Sequence, residues 1–428
     1  MLTHTVTQDQ HYGNPASPRA LRPFMARTQI ALLFLAGATS GLVFIEPSPF
    51  EIVIALTILF FTVTGLNFRA PLIPLALLLV FINIGYSTSA ISFLDDQQVM
   101  SWVATSWFMA VTCLFYAAAM QADTEQRLAA LMNGIMVAAV VAAVAGIIGY
   151  ARHIPGDVDL LTYAGRARGT FKDPNVFGAF LILPSLIALQ RMVLGDVGKA
   201  LRNALILTVL SIGNLLAFSR GAWGQLAFSV ALMLYFMFLT ASSSRLRIRI
   251  VVMAVIVIAA AVGFLIALLS IDAVQALFKE RASLNQSYDL GTQGRFGRHI
   301  LGALLAFDRP LGIGPLQFSH YFPEDPHNSY LNAFMAGGWL AGVCYPVLTL
   351  LTLTYGFKHV FVATPWRLTY IAVYSAYVST AFESYVIDSD HWRHYYLLIG
   401  LVWGLVVVGR PYSATRAAGG ISLQPAIH

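Results

Sequence analysis

The chain has 428 residues, 58% of them hydrophobic and 11% charged, with a net charge of +6 and a mean hydropathy of +0.71. Soluble domains carry about 25% charged residues, so this composition argues against a water-soluble enzyme. It argues equally against a nucleic-acid-binding module. The two cysteines, Cys113 and Cys344, both sit inside apolar runs, which disfavours a disulfide framework or a zinc site.

Residues 1–27 are polar, contain Pro15, Pro18 and Pro23, and read as a cytoplasmic tail rather than a cleaved signal peptide. From there to residue 410, apolar runs of membrane-crossing length recur. The predicted spans are 28–45, 50–66, 71–88, 99–121, 128–150, 176–194, 203–218, 221–241, 248–270, 327–356, 367–386 and 395–409. The expected fold is all-α and polytopic, about twelve transmembrane helices in one domain over 28–410. A long outer loop, 271–326, lies between the ninth and tenth spans, and a cytoplasmic tail, 411–428, closes the chain.

Basic residues set the orientation. With the amino terminus inside, Arg27, Arg69, Arg127, Arg191, Lys199, Arg202, Arg245 and Arg367 fall on the cytoplasmic side. The outer loops around Pro47 and Asp95 carry no Lys or Arg. Arg166, Arg168 and Arg220 break this rule, standing close to spans on the outer side. Membrane topology does not explain them, whereas an anionic ligand would.

Three outer segments hold the informative residues. The first runs from Arg166 through Arg168 and Lys172 to Asp173–Pro174–Asn175, where Asp173 suits an N-cap and Pro174 the first helical turn. It reads either as a capped helix with snorkelling side chains or as a ligand site. The second is Ser219–Arg220–Gly221, a turn so short that Arg220 stays near the interface, held by a neighbouring carboxylate or by a ligand. The third is the long loop. Ile300, Leu301, Leu304, Leu305 and Phe307 recur at helical spacing after Arg295 and Arg298, which predicts an amphipathic helix on the membrane surface. Gly312 and Gly314 read as a turn. Asp325–Pro326 reads as a cap and first helical position, which puts His327 in the first turn of the tenth helix. There the helix dipole would favour a neutral imidazole. In this topology the sixth, eighth and tenth helices all begin on the outer face, and helix amino termini beside arginine suit a phosphate or diphosphate.

With these stretches in order, the chain resembles the O-antigen ligase and polymerase superfamily. The resemblance rests on Arg168-Gly-Thr-Phe-Lys-Asp-Pro-Asn-Val-Phe-Gly178, Ser219–Gly221, Gly294–Arg295, Pro310–Gly314, Pro326–Leu331 and Asp390-His-Trp-Arg393, covering about residues 160–405. It implies an inverting, metal-independent membrane glycosyltransferase without a cofactor. Such an enzyme moves a glycan from undecaprenyl diphosphate to a lipid A–core sugar, as a ligase, or to another glycan, as a polymerase of O-antigen or exopolysaccharide. It implies a bacterial inner-membrane protein with its site facing the periplasm, alone or within a polysaccharide-assembly complex. His327 is then the catalytic base. Arg220 and Arg295, with Arg168 and Lys172, bind the diphosphate. Arg166, Arg298, Asn328, Tyr330, Asp390 and Arg393 form a second tier. Ala336 stands where many relatives have a carboxylate.

His299, His320 and His391 compete with His327 as base, and Asp388–Ser389–Asp390–His391 also reads as a thin metal site. A transporter or flippase of a lipid-linked sugar is the rival class. It would be expected to show internal repeats and charged groups near the bilayer midplane. No repeat is visible, and Glu383 lies near the outer end of its span.

Overall fold

The structure is a computed structural model that describes residues 21–45, 47–151, 160–270, 275, 278, 291 and 294–412. Among the described residues it is all-α apart from one short hairpin. The helices are α1 (Leu21–Thr39), α2 (Pro49–Thr64), α3 (Ile73–Ser89), α4 (Gln97–Ala119) and α5 (Thr124–Tyr150). Then follow strands β1 (Thr162–Tyr163) and β2 (Arg166–Ala167), and helices α6 (Pro174–Phe180), α7 (Ile182–Leu194), α8 (Val197–Leu216), α9 (Arg220–Thr240) and α10 (Ser244–Leu269). Next among the described helices come α11 (Arg295–Asp308), α12 (Ser329–Val360), α13 (Arg367–Glu383) and α14 (Arg393–Val408). Eight described segments are long and apolar enough to cross a membrane, with α6 and α7 counted as one, and α2 and α14 are shorter apolar helices. α1 already begins at Leu21, ahead of the predicted boundary at 28; residues 1–20 and 413–428 lie outside the described residues.

Small residues set the closest helix pairs. A Cβ on Gly134 of α5 would collide with the backbone of Phe34 in α1, so the two helices touch main chain to main chain. At the end of the bundle where α1 begins, the basic residues tie off helix carboxyl ends. Arg127 donates to the Ala119 carbonyl at 2.8 Å and Arg367 to the Thr240 carbonyl at 3.3 Å. Cations belong at such ends, where carbonyls lack partners.

The opposite end, the site end, is knitted by loops. The Val43 N–H donates to the Thr170 carbonyl at 3.1 Å, which ties the 160–173 loop to the end of α1. Arg393, at the start of α14, forms an ion pair with Glu51 in the first turn of α2. The antiparallel pair β1–β2, not anticipated from sequence, turns the chain through Ala164 and Gly165. α11 presents Phe296, Ile300, Leu304 and Phe307 outward and buries Arg298, His299, Gly302 and Ala306. That is the amphipathic helix the periodicity predicts.

α12 corrects one expectation. The tenth span is not a continuous helix: its backbone breaks at Gly337 and Gly338, the latter with φ +63. The Pro310–Gly314 segment fills the break. Its Pro310 carbonyl accepts from the Trp339 N–H at 2.9 Å, and Ile313 N–H donates to the Met335 carbonyl at 2.7 Å. An open break inside a membrane would strand these groups at several kcal/mol each. The glycine-rich stretch read as a turn is thus a strap that completes the helix ladder, and Ala336 is buried beside it.

Candidate active site

α12 opens at Asn328, whose side chain accepts from the Tyr330 and Leu331 N–H groups, each at 3.1 Å. His327 therefore precedes the cap and does not occupy the first helical turn, as the Asp325–Pro326 reading had placed it. The cause is tertiary. Asp388, from the α13–α14 loop, accepts from the backbone N–H groups of His327 and Asn328 at 3.1 and 2.9 Å. These bonds hold His327 at φ +47, a conformation that costs a non-glycine residue about 1–3 kcal/mol. The position at a helix start gives way to a direct partner.

That partner is the same carboxylate. His327 Nδ1 lies 3.4 Å from Asp388 Oδ2, and the imidazole is 37% exposed. Its Nε2 makes no hydrogen bond among the described residues. A ring with one nitrogen on a carboxylate and the other open has the arrangement of an oriented general base. Burial pushes the Asp388 carboxyl above the ordinary carboxylate range; His327 and the Asn328 N–H oppose that push, and nearby Asp390 adds to it.

Arg220 is the first residue of α9, after the cap Ser219, whose Oγ accepts from the Ala222 N–H at 3.3 Å. Phe218 before it is also left-handed, at φ +45. The next residue, Gly221, packs directly on the Glu383 carboxylate, where any Cβ would collide. Glu383 ends α13, and the chain then runs through Ser384 to Asp388. One segment, 383–388, thus anchors both the Arg220 turn and His327. Ser329 locks it in place, donating its N–H to the Ser384 carbonyl at 2.8 Å. α6 closes the group: its Gly178 packs on Ala222 of α9. Asp173 caps α6 as expected, accepting from Asn175 N–H at 2.7 Å.

Arg295 begins α11. One turn later Arg298 is buried against Glu324 at 2.8 Å, and His299 Nε2 meets the Pro326 carbonyl at 2.8 Å. Burial lowers the His299 pKa below its ordinary value; Arg295 and Arg298 add to this, while the Pro326 carbonyl and Asp388 oppose it. The His299–Pro326 bond ties α11, which Arg295 opens, to the residue just before His327.

Other sequence candidates hold the frame. Arg166 donates to the Ala217 carbonyl and to Asn175 Oδ1, both at 2.7 Å, and so braces the turn that carries Arg220. Arg168 donates to the Lys172 carbonyl at 3.0 Å. Tyr330 donates its hydroxyl to the Ala381 carbonyl at 2.6 Å. Asp390 is buried and accepts from Asn332 at 2.9 Å. His391 stacks on Trp102 with ring centroids 3.9 Å apart, and His320 pairs with Gln317. Two residues outside the sequence-derived set matter most: Asp388 and Glu383. Two carboxylates flanking a serine in the short last outer loop were the available signal for Asp388. A lone acid at a span's end was the signal for Glu383. Among the described residues, no group of three or more His, Cys, Asp or Glu is placed to hold a metal ion.

Fold and site together define a multi-pass membrane protein with a basic, histidine-bearing site at one end of its bundle. Residues 204–345, which carry Arg220, Arg295 and His327, match the family model described as O-Antigen ligase, so this third of the chain is similar to that family. This supports a membrane glycosyltransferase of the ligase or polymerase type. No curated protein matches the chain.

Proposed function

We propose that the chain is an O-antigen ligase-like glycosyltransferase of the bacterial inner membrane, with its site on the periplasmic face. The donor is an undecaprenyl-diphosphate-linked glycan and the acceptor a hydroxyl of a lipid A–core sugar. The His327–Asp388 pair is the observation that carries this reading. His327 Nε2 takes the proton of the acceptor hydroxyl as its oxygen attacks the anomeric carbon. The carbon–oxygen bond to the diphosphate breaks, and the lipid diphosphate leaves. Arg220 and Arg295 bind that diphosphate and stabilise the charge it gains, helped by the α9 amino terminus. One displacement inverts the anomeric centre. Arg168 is an outlying contact on the neighbouring loop.

The test uses a deletion strain carrying wild-type or His327→Ala protein, with lipopolysaccharide and other polysaccharides resolved by size. The proposal expects loss of capped lipopolysaccharide and accumulation of lipid-linked polymer, not restored by the variant. Loss of a secreted polymer with intact lipopolysaccharide would move the protein to the polymerases. Full restoration by His327→Ala would remove His327 from the chemistry. Transfer by purified protein without any ion gradient separates this class from a transporter.

A further inference from the structure

A cavity lies at the site end, and His327 is not among its lining residues. It has a volume of about 160 Å³ and is lined by the end of α1, the starts of α2, α6 and α14, and Tyr116 of α4. Its walls are aromatic, with Phe171, Phe180 and Trp392 among them. Its polar lining includes Lys172, Asp173, Arg393 and His394. Formal charge there balances, because Asp173 offsets Lys172 and Glu51 is paired with Arg393. His394 rests between Trp392 and Phe180, at 5.2 and 6.2 Å between ring centroids. Its Nε2 is buried and has no hydrogen-bond partner. A buried donor or acceptor left unmade costs about 1–3 kcal/mol, so a ring in the cavity wall carries an unmet polar atom.

We propose that this cavity binds one neutral pyranose ring of the acceptor glycan. Flat aromatic walls suit the apolar face of a sugar, and a charge-balanced set of donors and acceptors suits its hydroxyls. Neither favours an anion. The volume lies well below the ~300–1,000 Å³ of drug-sized sites, so it holds a single ring and not a chain. Position supplies the acceptor assignment, which rests on the proposed function. α6 stands between the cavity and α9: Val176 and Phe180 line the cavity, while Gly178, on the other side of the helix, packs on Ala222 two residues from Arg220. The 383–393 segment makes the same bridge. It starts against Gly221, carries Asp388 and its contact with His327 midway, and ends in the cavity at Trp392 and Arg393. This one segment thus connects the Arg220 turn, the partner of the base and the cavity wall. An in-line displacement needs the acceptor on the side away from the leaving group.

The test uses full-length purified protein and saturation-transfer NMR with a panel of neutral methyl pyranosides. Wild type shows transfer to at least one of them. Val176→Trp, which fills the cavity, and His394→Phe, which removes the ring nitrogens, each reduce that signal at least fivefold. In the transfer assay both raise the acceptor KM at least tenfold, with the donor KM moving less than twofold. His327→Ala keeps pyranoside binding while losing transfer, so failure of the base assignment is seen separately. The inference is overturned if no pyranoside binds wild type, or if only carboxylated or phosphorylated sugars do. It is equally overturned if both folded variants bind as wild type, or if they change the donor KM instead. Should Val176→Trp fail to elute as a folded protein, His394→Phe alone decides.

Discussion

Replacing Asp388 by Asn tests whether His327 works alone or as one half of a pair. The carboxylate makes two bonds to backbone N–H groups and faces the imidazole Nδ1. An amide keeps one acceptor oxygen and turns the other into a donor, so one charge-assisted bond is lost. Such bonds contribute about 1.5–3 kcal/mol. At about 1.4 kcal/mol per factor of ten in rate, kcat should fall roughly ten- to 150-fold if the whole loss is felt in the transition state. That stays within the ~10²–10⁴ a general base supplies, as it must if Asp388 acts through His327. The assay is glycan transfer from a lipid-diphosphate donor by purified protein, with thermal melting as a control. Residues that act as one unit do not add, so His327→Ala and His327→Ala/Asp388→Asn should be equally impaired. A single Asp388→Asn within threefold of wild type would refute the pair. So would a double variant whose loss is the product of the two single losses.

Arg220→Ala and Arg295→Ala should each lower kcat by about 10²–10³, as expected for one preorganised donor at a developing charge, measured in the same transfer assay. Losses under tenfold would end the diphosphate-clamp assignment. Gly338→Ala should lower the melting temperature, because φ +63, ψ −162 is a region essentially confined to glycine that costs another residue about 1–3 kcal/mol, and its Cβ would strike the Pro310 carbonyl; an unchanged melt would show that the strap is not tied to the break. His299 gives a pH dependence. Burial lowers its folded pKa below the ordinary 6.5, and its Nδ1 is buried without a partner. The unfolded chain then binds the proton more readily, so its contribution to stability is present above pH 6.5 and is lost as pH falls through the lowered value. Amide protection factors in α11, which correct for the intrinsic pH dependence of exchange, should fall as pH is lowered from about 7.5 to about 5.5, and His299→Phe should abolish that fall.

The sequence by itself determined the membrane class, the run of apolar helices and the cap at Asp173. These follow from local rules: hydrophobic length, and side-chain oxygens placed beside free N–H groups. It also marked Arg220, because an arginine near a span on the outer side contradicts the charge rule that governs topology, while the resemblance singled out Arg295 and His327. Tertiary structure decided what these residues touch. His327 read as a first-turn residue because Asp325–Pro326 satisfies the local capping pattern. Only the distant Asp388 carboxylate, pulling on two backbone N–H groups, moves the helix start to Ser329. The break at Gly338 was equally hidden, since an apolar stretch looks the same whether its ladder is continuous or completed by a strap from Pro310. Glu383 shows the limit most directly. In sequence it is one acid at the end of a span. In the fold it lies against Gly221 and opens the segment that ties Arg220 to His327, a relation set by which helices pack together rather than by any spacing along the chain.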